Sequence, residues 1–137
     1  MYLANCTRPD IAAVVNFLSR HVFKPTQKHC QGVKRVFRYL KGTLDKCLVM
    51  KPSNELKLKA YVDSDWTNDA TDRRSVSGFA VMFADTLVGW KSRKQSSIAT
   101  STAKAEFAAL SELCSEIVWY KQLIRFKSCS GSGHEGI

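Results

Sequence analysis

The chain has 137 residues, of which 45% are hydrophobic, and a formal net charge of +9. The length and composition are typical of one compact globular domain, or of a small domain with part of another. The charge indicates a polyanionic partner or a strongly solvated surface. It contains no run of about 18 apolar residues, and its start, MYLANCTRPD, lacks the basic and then apolar pattern of a secretory signal. The five scattered cysteines form no CxxC pair, which argues against a disulfide framework or a zinc knuckle. We therefore expect a protein of the cytoplasm or nucleus, neither membrane-bound nor secreted, whose cysteines are reduced packing residues.

The positive charge is concentrated in the first part of the chain. Residues 1–53 contain ten Lys or Arg against two acids, a balance of +8, whereas residues 54–137 contain eleven against ten, a balance of +1. Such a surplus indicates either a surface that faces a polyanion or an ordinary solvated helix face. Charge alone leaves both interpretations open.

Two helices joined by a short turn are predicted for residues 1–50. Thr7 can cap the first helix, with Pro9 in its first turn, and Thr26 can cap the second. The second helix should end at Gly42, because glycine suits the left-handed position after a helix. Its outer faces are strongly basic and supply four candidate contacts to nucleic acid, namely Lys34, Arg35, Arg38 and Lys41.

Three strands in quick succession are predicted after a polar linker at residues 51–55. Apolar and polar residues alternate from Leu56 to Asp63, a second strand fits Val76 to Phe83, and a third fits Leu87 to Lys94. Their short connections favour antiparallel neighbours. The basic end of the third strand adds Lys91, Arg93 and Lys94 as candidate nucleic-acid contacts, although a solvated strand end explains them nearly as well.

A long helix is predicted from Ser101 to about Lys127, with Thr100 or Ser101 as its cap. The expected core-facing stripe consists of Glu106, Leu110, Leu113, Ile117, Tyr120 and Ile124. Because an unpaired carboxylate is costly to bury, Glu106 should lie at the rim or have a positive partner. The small polar tail, residues 128–137, is expected to be disordered. The predicted fold class is α+β.

The segment AYVDSDWTND places Asp63 at the end of the first strand. If the long helix packs on the sheet, Asp63 comes toward the first turns of that helix, where Glu106 lies. Two neighbouring carboxylates repel each other unless a proton or a cation lies between them, and oxygen-only ligands suit Mg²⁺. The reaction class that follows is metal-assisted phosphodiester hydrolysis. The alternative is structural, because an aspartate at a strand end is often a turn former.

Six segments resemble one known family in the same order and spacing across residues 1–127. They are TRPDIAAVVNFLSR, VKRVFRYLKGT, AYVDSDW, DRRSVSGF, GWKSRKQSSIATSTAKAEFAALSE and IVWYKQLI. Together they resemble the polyprotein of copia-type LTR retrotransposons, where reverse transcriptase ends and its ribonuclease H domain begins. The resemblance implies that residues 1–50 belong to the thumb-like end of the polymerase, which grips the template-primer backbone. It implies a partial ribonuclease H-like domain at residues 55–127.

The resemblance also implies roles for single residues. Asp63 in YVDSDW matches the first-strand metal-binding aspartate of the family, and Glu106 in AKAEF matches its helix glutamate. Lys104 stands where many relatives have an acid that is not catalytic. The third metal-binding aspartate, which follows the long helix in the family, has no counterpart among the acids after Glu106, namely Glu112, Glu116 and Glu135.

We therefore expect a truncated ribonuclease H fragment that binds Mg²⁺ weakly or not at all and does not cleave RNA–DNA hybrids alone. The alternatives are a non-catalytic, sequence-independent nucleic-acid-binding module and a pseudogene product without selected activity. Without the next strand of the family fold, the strand that ends near Asp63 would be a bare edge, and self-association through it is expected.

Overall fold

The computed structural model describes residues 1–50, 55–66 and 73–130, with side chains described as far as residue 125 in the last helix. Most of the predicted linker, residues 67–72 and residues 131–137 of the predicted tail lie outside the described residues. The elements are α1 (Tyr2–Cys6), a 3₁₀ turn (Pro9–Ile11), α2 (Ala12–Ser19), α3 (Gln27–Lys41), β1 (Leu58–Asp65), β2 (Val76–Phe83), β3 (Thr86–Lys94) and α4 (Thr102–Ser130). The predicted α+β class is confirmed, and α4 continues through the first three residues of the predicted tail.

The first helix of the structure lies before the predicted helix start at Thr7. Residues 2–6 already form α1, and the Thr7 hydroxyl donates a hydrogen bond back to the Leu3 carbonyl at 3.2 Å. Thr7 therefore closes α1 and does not cap the following helix, which begins with a 3₁₀ turn at Pro9. The sequence MYLANC is too short for helical periodicity to be visible in it.

The limits of α3 follow from its end residues. The Thr26 hydroxyl accepts a hydrogen bond from the His29 N–H, and His29 Nδ1 accepts one from the Thr26 N–H, which confirms Thr26 as the cap. Gly42 does end the helix, but its φ of −82° is right-handed, so the predicted left-handed conformation is wrong. The Gly42 N–H still bonds to the Arg38 carbonyl in the ordinary helical way.

The three strands form an antiparallel sheet in the order β1-β2-β3, as predicted. Ala84 and Asp85 connect β2 to β3, both with positive φ, and a bulge in β3 opposite Val81/Met82 adds one residue to that strand. Two faces result from the alternation of side chains. One, the α4 face, carries Ser77, Phe79 and Val81 of β2, and the other, the N-terminal face, carries Gly78, Ala80 and Met82 of β2.

Helix α4 covers the α4 face, with small residues at the contact. Ala105, Ala109 and Leu113 of α4 are buried, as is Val81 of β2, and α4 contacts both β1 and β2. The Gln95 amide donates both to the Ser77 hydroxyl and to the Ala105 carbonyl, each at 2.8 Å, which fixes the first turns of the helix on the sheet.

The predicted cap and the predicted stripe of α4 fare differently. The Lys104 N–H donates to the Ser101 hydroxyl at 3.3 Å, which confirms Ser101 as the cap. Glu106 and Leu110 of the predicted stripe are exposed. The buried residues of α4 lie one position earlier, at Ala105 and Ala109, and these alanines let the helix approach the sheet closely. Leu113 is the member of that stripe that is fully buried.

The N-terminal helices pack on the opposite, N-terminal face, along β3. The Trp90 indole N–H donates to the Ala4 carbonyl at 2.8 Å, and α2 lies against β3. The sheet therefore lies between α4 and the N-terminal helices. Many large apolar side chains remain exposed, including Tyr2, Phe23 and Phe37. None of the helices in the described part of the chain combines the length and apolar character needed to cross a bilayer.

The cysteines do not pack as predicted. Cys6, Cys30, Cys47 and Cys114 are free thiols, and all four are exposed. The absence of disulfides among these described cysteines agrees with the sequence, whereas their expected burial is wrong because each lies on an outward-facing position of a helix or loop.

Candidate active site and nucleic-acid interface

Asp63 lies on the N-terminal face of the sheet, near the end of β1. It pairs with Gly78 of β2, while its neighbour Ser64 pairs with Ser77 and so lies on the α4 face. The Asp63 side chain is exposed, and its Oδ1 accepts a hydrogen bond from the Ser64 N–H at 2.8 Å. This local hydrogen bond fixes one carboxylate oxygen and leaves the carboxylate open to solvent.

Glu106 lies in the first turns of α4, next to the buried Ala105, with its own side chain exposed. The end of β1 and the start of α4 are tied together, because the Trp66 indole N–H donates to the Ala99 carbonyl at 3.2 Å. The elements that carry Asp63 and Glu106 therefore meet at the same end of the sheet.

Asp63 nevertheless projects from the face of the sheet opposite to α4, the helix that carries Glu106. Helix α4 covers the face to which Ser64 belongs, whereas Asp63 belongs to the other face. A shared ion would have to bind around the open edge of β1 and not inside a packed layer. Within the part of the chain that the structure describes, no three His, Cys, Asp or Glu side chains are grouped as metal ligands. The predicted pairing of Asp63 with Glu106 stays a prediction.

The four candidate residues of α3 share an exposed surface of uniform sign. Lys34, Arg35, Arg38 and Lys41 are all exposed, and α3 itself contains no acidic residue. Lys28 of the same helix is exposed as well. Since a helix with several exposed cations and no internal anion attracts a polyanion at long range, this surface is suited to a phosphate backbone.

The three candidates of β3 differ from one another. Lys91 Nζ lies 2.6 Å from a Glu112 oxygen and 3.9 Å from a Glu116 oxygen of α4, so its charge is compensated within the protein. Arg93 is exposed and Lys94 is partly exposed. The ion pair of Lys91 could not be foreseen from the sequence, because it depends on which turn of α4 crosses β3.

Arg20 is a residue that the sequence did not single out. It ends α2 and, together with Asn16, lines a cleft whose other wall is β3 from Trp90 to Lys94. Nothing in the pattern of α2 marks Arg20, because only the docking of α2 on β3 brings it to the basic strand end.

A second ionic group ties the N-terminal helices together. The Arg8 guanidinium donates two hydrogen bonds to the Asp10 carboxylate, at 3.0 and 2.8 Å, and the Tyr39 hydroxyl donates a third at 2.8 Å. These hydrogen bonds, those of Arg8 first, hold the pKa of Asp10 well below its usual range, although burial acts in the other direction. Arg8 also donates to the Thr43 carbonyl and hydroxyl after α3. The group therefore ties the segment before α2 to the end of α3.

The chain is similar to retrovirus-related Pol polyproteins of plant transposons. It is 38% identical over 125 residues to the retrovirus-related Pol polyprotein from transposon TNT 1-94 of Nicotiana tabacum, a match that covers 91% of this chain and 9% of the relative. It is 39% identical over 123 residues to the corresponding polyprotein from transposon RE1 of Arabidopsis thaliana, a match that covers 90% of this chain and 8% of the relative.

A shorter protein is similar as well. Secreted RxLR effector protein 161 of Plasmopara viticola is 42% identical over 119 residues, which are 87% of this chain and 84% of that protein. The chain therefore spans less than a tenth of the two polyproteins but most of this shorter relative. No family model matches the sequence, and no solved structure matches it.

Proposed function

We propose that the chain is a copia-type segment formed by the end of a reverse transcriptase and a ribonuclease H-like unit. The premise is that the chain belongs to the family of retrovirus-related Pol polyproteins from transposons. It matches a segment of such a polyprotein along 90% of its own length. The family reaction would be hydrolysis of the RNA strand of an RNA–DNA hybrid. We expect this chain alone to have little or none of that activity. The observation that supports the proposal is the hydrogen bond from Trp66 to Ala99, which ties the end of β1, where Asp63 lies, to the segment before α4, which carries Glu106 in its first turns.

The chemistry of the donor set fits a hard divalent ion. Asp63 and Glu106 offer carboxylate oxygens, both exposed, and Mg²⁺ is commonly held by one or two carboxylates while it keeps water and substrate phosphate as further ligands. When bound, such an ion would activate water and stabilise the leaving oxygen. The residues of the chain itself would hold the ion at the edge of β1 and keep it open to solvent.

Weak binding follows from the same geometry. Asp63 belongs to the face of the sheet opposite to α4, which carries Glu106, and no group of three potential metal ligands is found among the described residues. Two-metal hydrolysis depends on several carboxylates that act as a unit, so that loss of one commonly removes most of the rate. We therefore expect negligible cleavage by this chain.

The shared site is tested with Mn²⁺ as a paramagnetic probe of the purified chain. We expect selective broadening of the backbone amide signals around Asp63 and Glu106, at millimolar ion concentration, because a solvent-exposed carboxylate pair binds a divalent ion weakly. Asp63→Asn should remove the broadening at both positions, whereas Asp45→Asn, which changes an exposed acid elsewhere, should not. Broadening at Asp63 alone would contradict a shared ion.

Catalysis is tested separately with a labelled RNA–DNA hybrid and excess Mg²⁺. We expect no cleavage above an EDTA control. If the chain cleaves the hybrid and Asp63→Asn abolishes the cleavage, the site is more complete than proposed and the prediction that the chain is inactive is wrong.

The second candidate function is sequence-independent binding of nucleic acid without catalysis. It is favoured by the exposed cations of α3, a helix that contains no acidic residue. Binding of this kind weakens steeply with salt, by counterion release. An affinity that stays constant between about 50 and about 200 mM salt would exclude it.

A further inference from the structure

We propose that the apolar groove between α3 and the helices α1 and α2 binds an amphipathic helix of a separate protein, one whose apolar stripe is flanked by acidic residues. The groove lies in a different part of the molecule from Asp63 and Glu106. The proposal rests neither on the family reaction nor on the second candidate function. Its basis is an apolar surface that the described residues leave open and whose free border is positively charged.

The groove is lined almost entirely by apolar side chains. Its volume is about 380 Å³, within the range of ligand-binding pockets, and Leu3 of α1, Val15 of α2 and Phe37 of α3 are among its lining residues. In the described part of the chain, no lining residue has an ionisable side chain. The polar side chain among them, Ser19, already donates its hydroxyl to the Asn16 carbonyl at 2.7 Å. The groove is therefore suited to an apolar surface and not to a small polar ligand.

Helix α3 contributes an apolar stripe that its own chain does not cover. The lining positions of α3 follow the spacing of one helical face, at Val33, Val36, Phe37 and Leu40. No residue of α3, which the structure describes in full, is buried, and Phe37 is 67% exposed. Contiguous exposed apolar surface of this kind marks interaction sites of soluble proteins.

The two flanks of this stripe differ in what borders them. Gly32 and Lys34 lie on opposite sides of Val33, each about 100° away around the helix axis. A Cβ added at Gly32 would lie 3.0 Å from Leu18 Cδ2, so this flank packs against α2. The other flank carries Lys34 and, two turns later, Lys41, both of them exposed. Because α3 contains no acid, the free border of the groove is positive.

Shape and charge together favour an acidic helix over other occupants. Residues 1–50 contain Asp10 and Asp45 as their acids, and Asp10 is engaged by Arg8 and Tyr39, so two copies that met through this groove would oppose lysines with lysines. A concave groove also fits a helix better than the flat surface of a bilayer. The stripe of α3 is about 10 Å long, which matches a partner with apolar residues at i, i+3 or i+4 and i+7.

The experiment measures the binding of two labelled synthetic peptides to the full chain by fluorescence anisotropy at low salt. Both peptides are alanine-based helices of about 18 residues with leucine at every third or fourth position. They differ only in having glutamate or lysine along one flank of the leucine stripe. We expect the glutamate peptide to bind at least about tenfold more tightly, because attraction to the lysines of α3 is replaced by repulsion in the other peptide. Equal affinities would overturn the proposal.

Two pairs of variants test whether the peptide binds in the groove. Phe37→Ala should weaken the binding of the glutamate peptide about tenfold or more, as expected for the loss of an aromatic anchor. Its matched control is Phe23→Ala, which removes a ring that is 98% exposed and outside the groove, and which should change the affinity less than about twofold. Lys34→Glu should shift the preference toward the lysine peptide about fivefold or more, whereas Lys121→Glu, which changes an exposed lysine of α4, should not.

Three further outcomes would contradict the proposal, and each identifies another cause of binding. If Phe37→Ala binds the glutamate peptide as tightly as Phe23→Ala does, the peptide is held by charge alone. If neither peptide binds, but the chain sediments with vesicles of phosphatidylserine and phosphatidylcholine and Phe37→Ala prevents this, the groove faces a membrane. If neither peptide binds and Phe37→Ala abolishes self-association of the chain, a second copy occupies the groove.

Discussion

At the scale of single residues, the Arg8–Asp10–Tyr39 group shows how one short motif joins two helices. The sequence TRPD presents Arg8 and Asp10 two residues apart, and the structure adds Tyr39 from the end of α3 to the same carboxylate. Hydrogen bonds to an ionised carboxylate favour its charged form, which is why the pKa of Asp10 is lowered. The group therefore makes the packing of the N-terminal helices depend on pH.

The sign of this dependence follows from the lowered pKa. In the unfolded chain, Asp10 takes up a proton near pH 4, and in the folded chain only at lower pH. Its contribution to stability is thus complete above about pH 4 and is lost as the pH falls further. We predict that Asp10→Asn lowers the free energy of unfolding at pH 7 and flattens its decline between about pH 5 and about pH 3, measured by urea unfolding.

The control for this prediction is Asp45→Asn, which replaces an exposed acid after α3. It should leave the acid-side slope close to that of the original chain. If Asp10→Asn and Asp45→Asn give parallel curves over this pH range, the carboxylate of Asp10 does not carry the stabilisation that we assign to it.

At the scale of elements, the contact of α4 with β3 depends on one missing side chain. A Cβ added at Gly89 would collide with the Tyr120 hydroxyl, which donates a hydrogen bond to the neighbouring Val88 carbonyl at 3.2 Å. Glycine thus allows the tyrosine to approach the strand this closely. Burial, and secondly the charge of Glu116, raise the pKa of Tyr120, so the hydroxyl stays protonated and able to donate.

We predict that Gly89→Ala destabilises the protein by about 1–3 kcal/mol, the usual cost of overpacking a contact. Adding Tyr120→Phe should restore part of the loss, since it removes the nearest atom but leaves the ring carbon, which would lie 3.1 Å from the new Cβ. Thermal unfolding of both single variants and the double variant measures the coupling. Strictly additive effects would show that the collision is relieved elsewhere.

The elements themselves were largely predictable, and the reasons are local. Alternation in LKLKAYVD and the spacing of apolar residues in the last helix are properties of contiguous residues. Thr26 and Ser101 cap their helices through hydrogen bonds to residues only three positions away. The contact line of α4 was displaced by one residue, because periodicity favours large apolar side chains and the packing uses Ala105 and Ala109. Helical spacing cannot tell whether an alanine is buried.

At the scale of the whole molecule, the sites depend on contacts between distant parts of the chain. Asp63 and Glu106 could be selected from the sequence, but the side of β1 from which Asp63 projects follows only from the register with β2. Arg20 could not be selected, because its position beside Trp90 depends on the docking of the N-terminal helices. Residue type thus indicated the chemistry, whereas long-range packing determined which groups meet.

The edge of the sheet gives the last prediction. In the described residues β1 has β2 on one side and no strand on the other, and Tyr61 on this edge is 59% exposed. An exposed strand edge with an apolar side chain favours pairing with another chain. We predict that the sedimentation coefficient rises with protein concentration, and that Tyr61→Lys reduces the rise because like charges would face each other across the paired edges.

Tyr2→Lys is the matched control, since Tyr2 is 81% exposed but belongs to α1. If Tyr2→Lys suppresses association equally, the apolar surface of the N-terminal helices is responsible. A monomer at every concentration would exclude both surfaces.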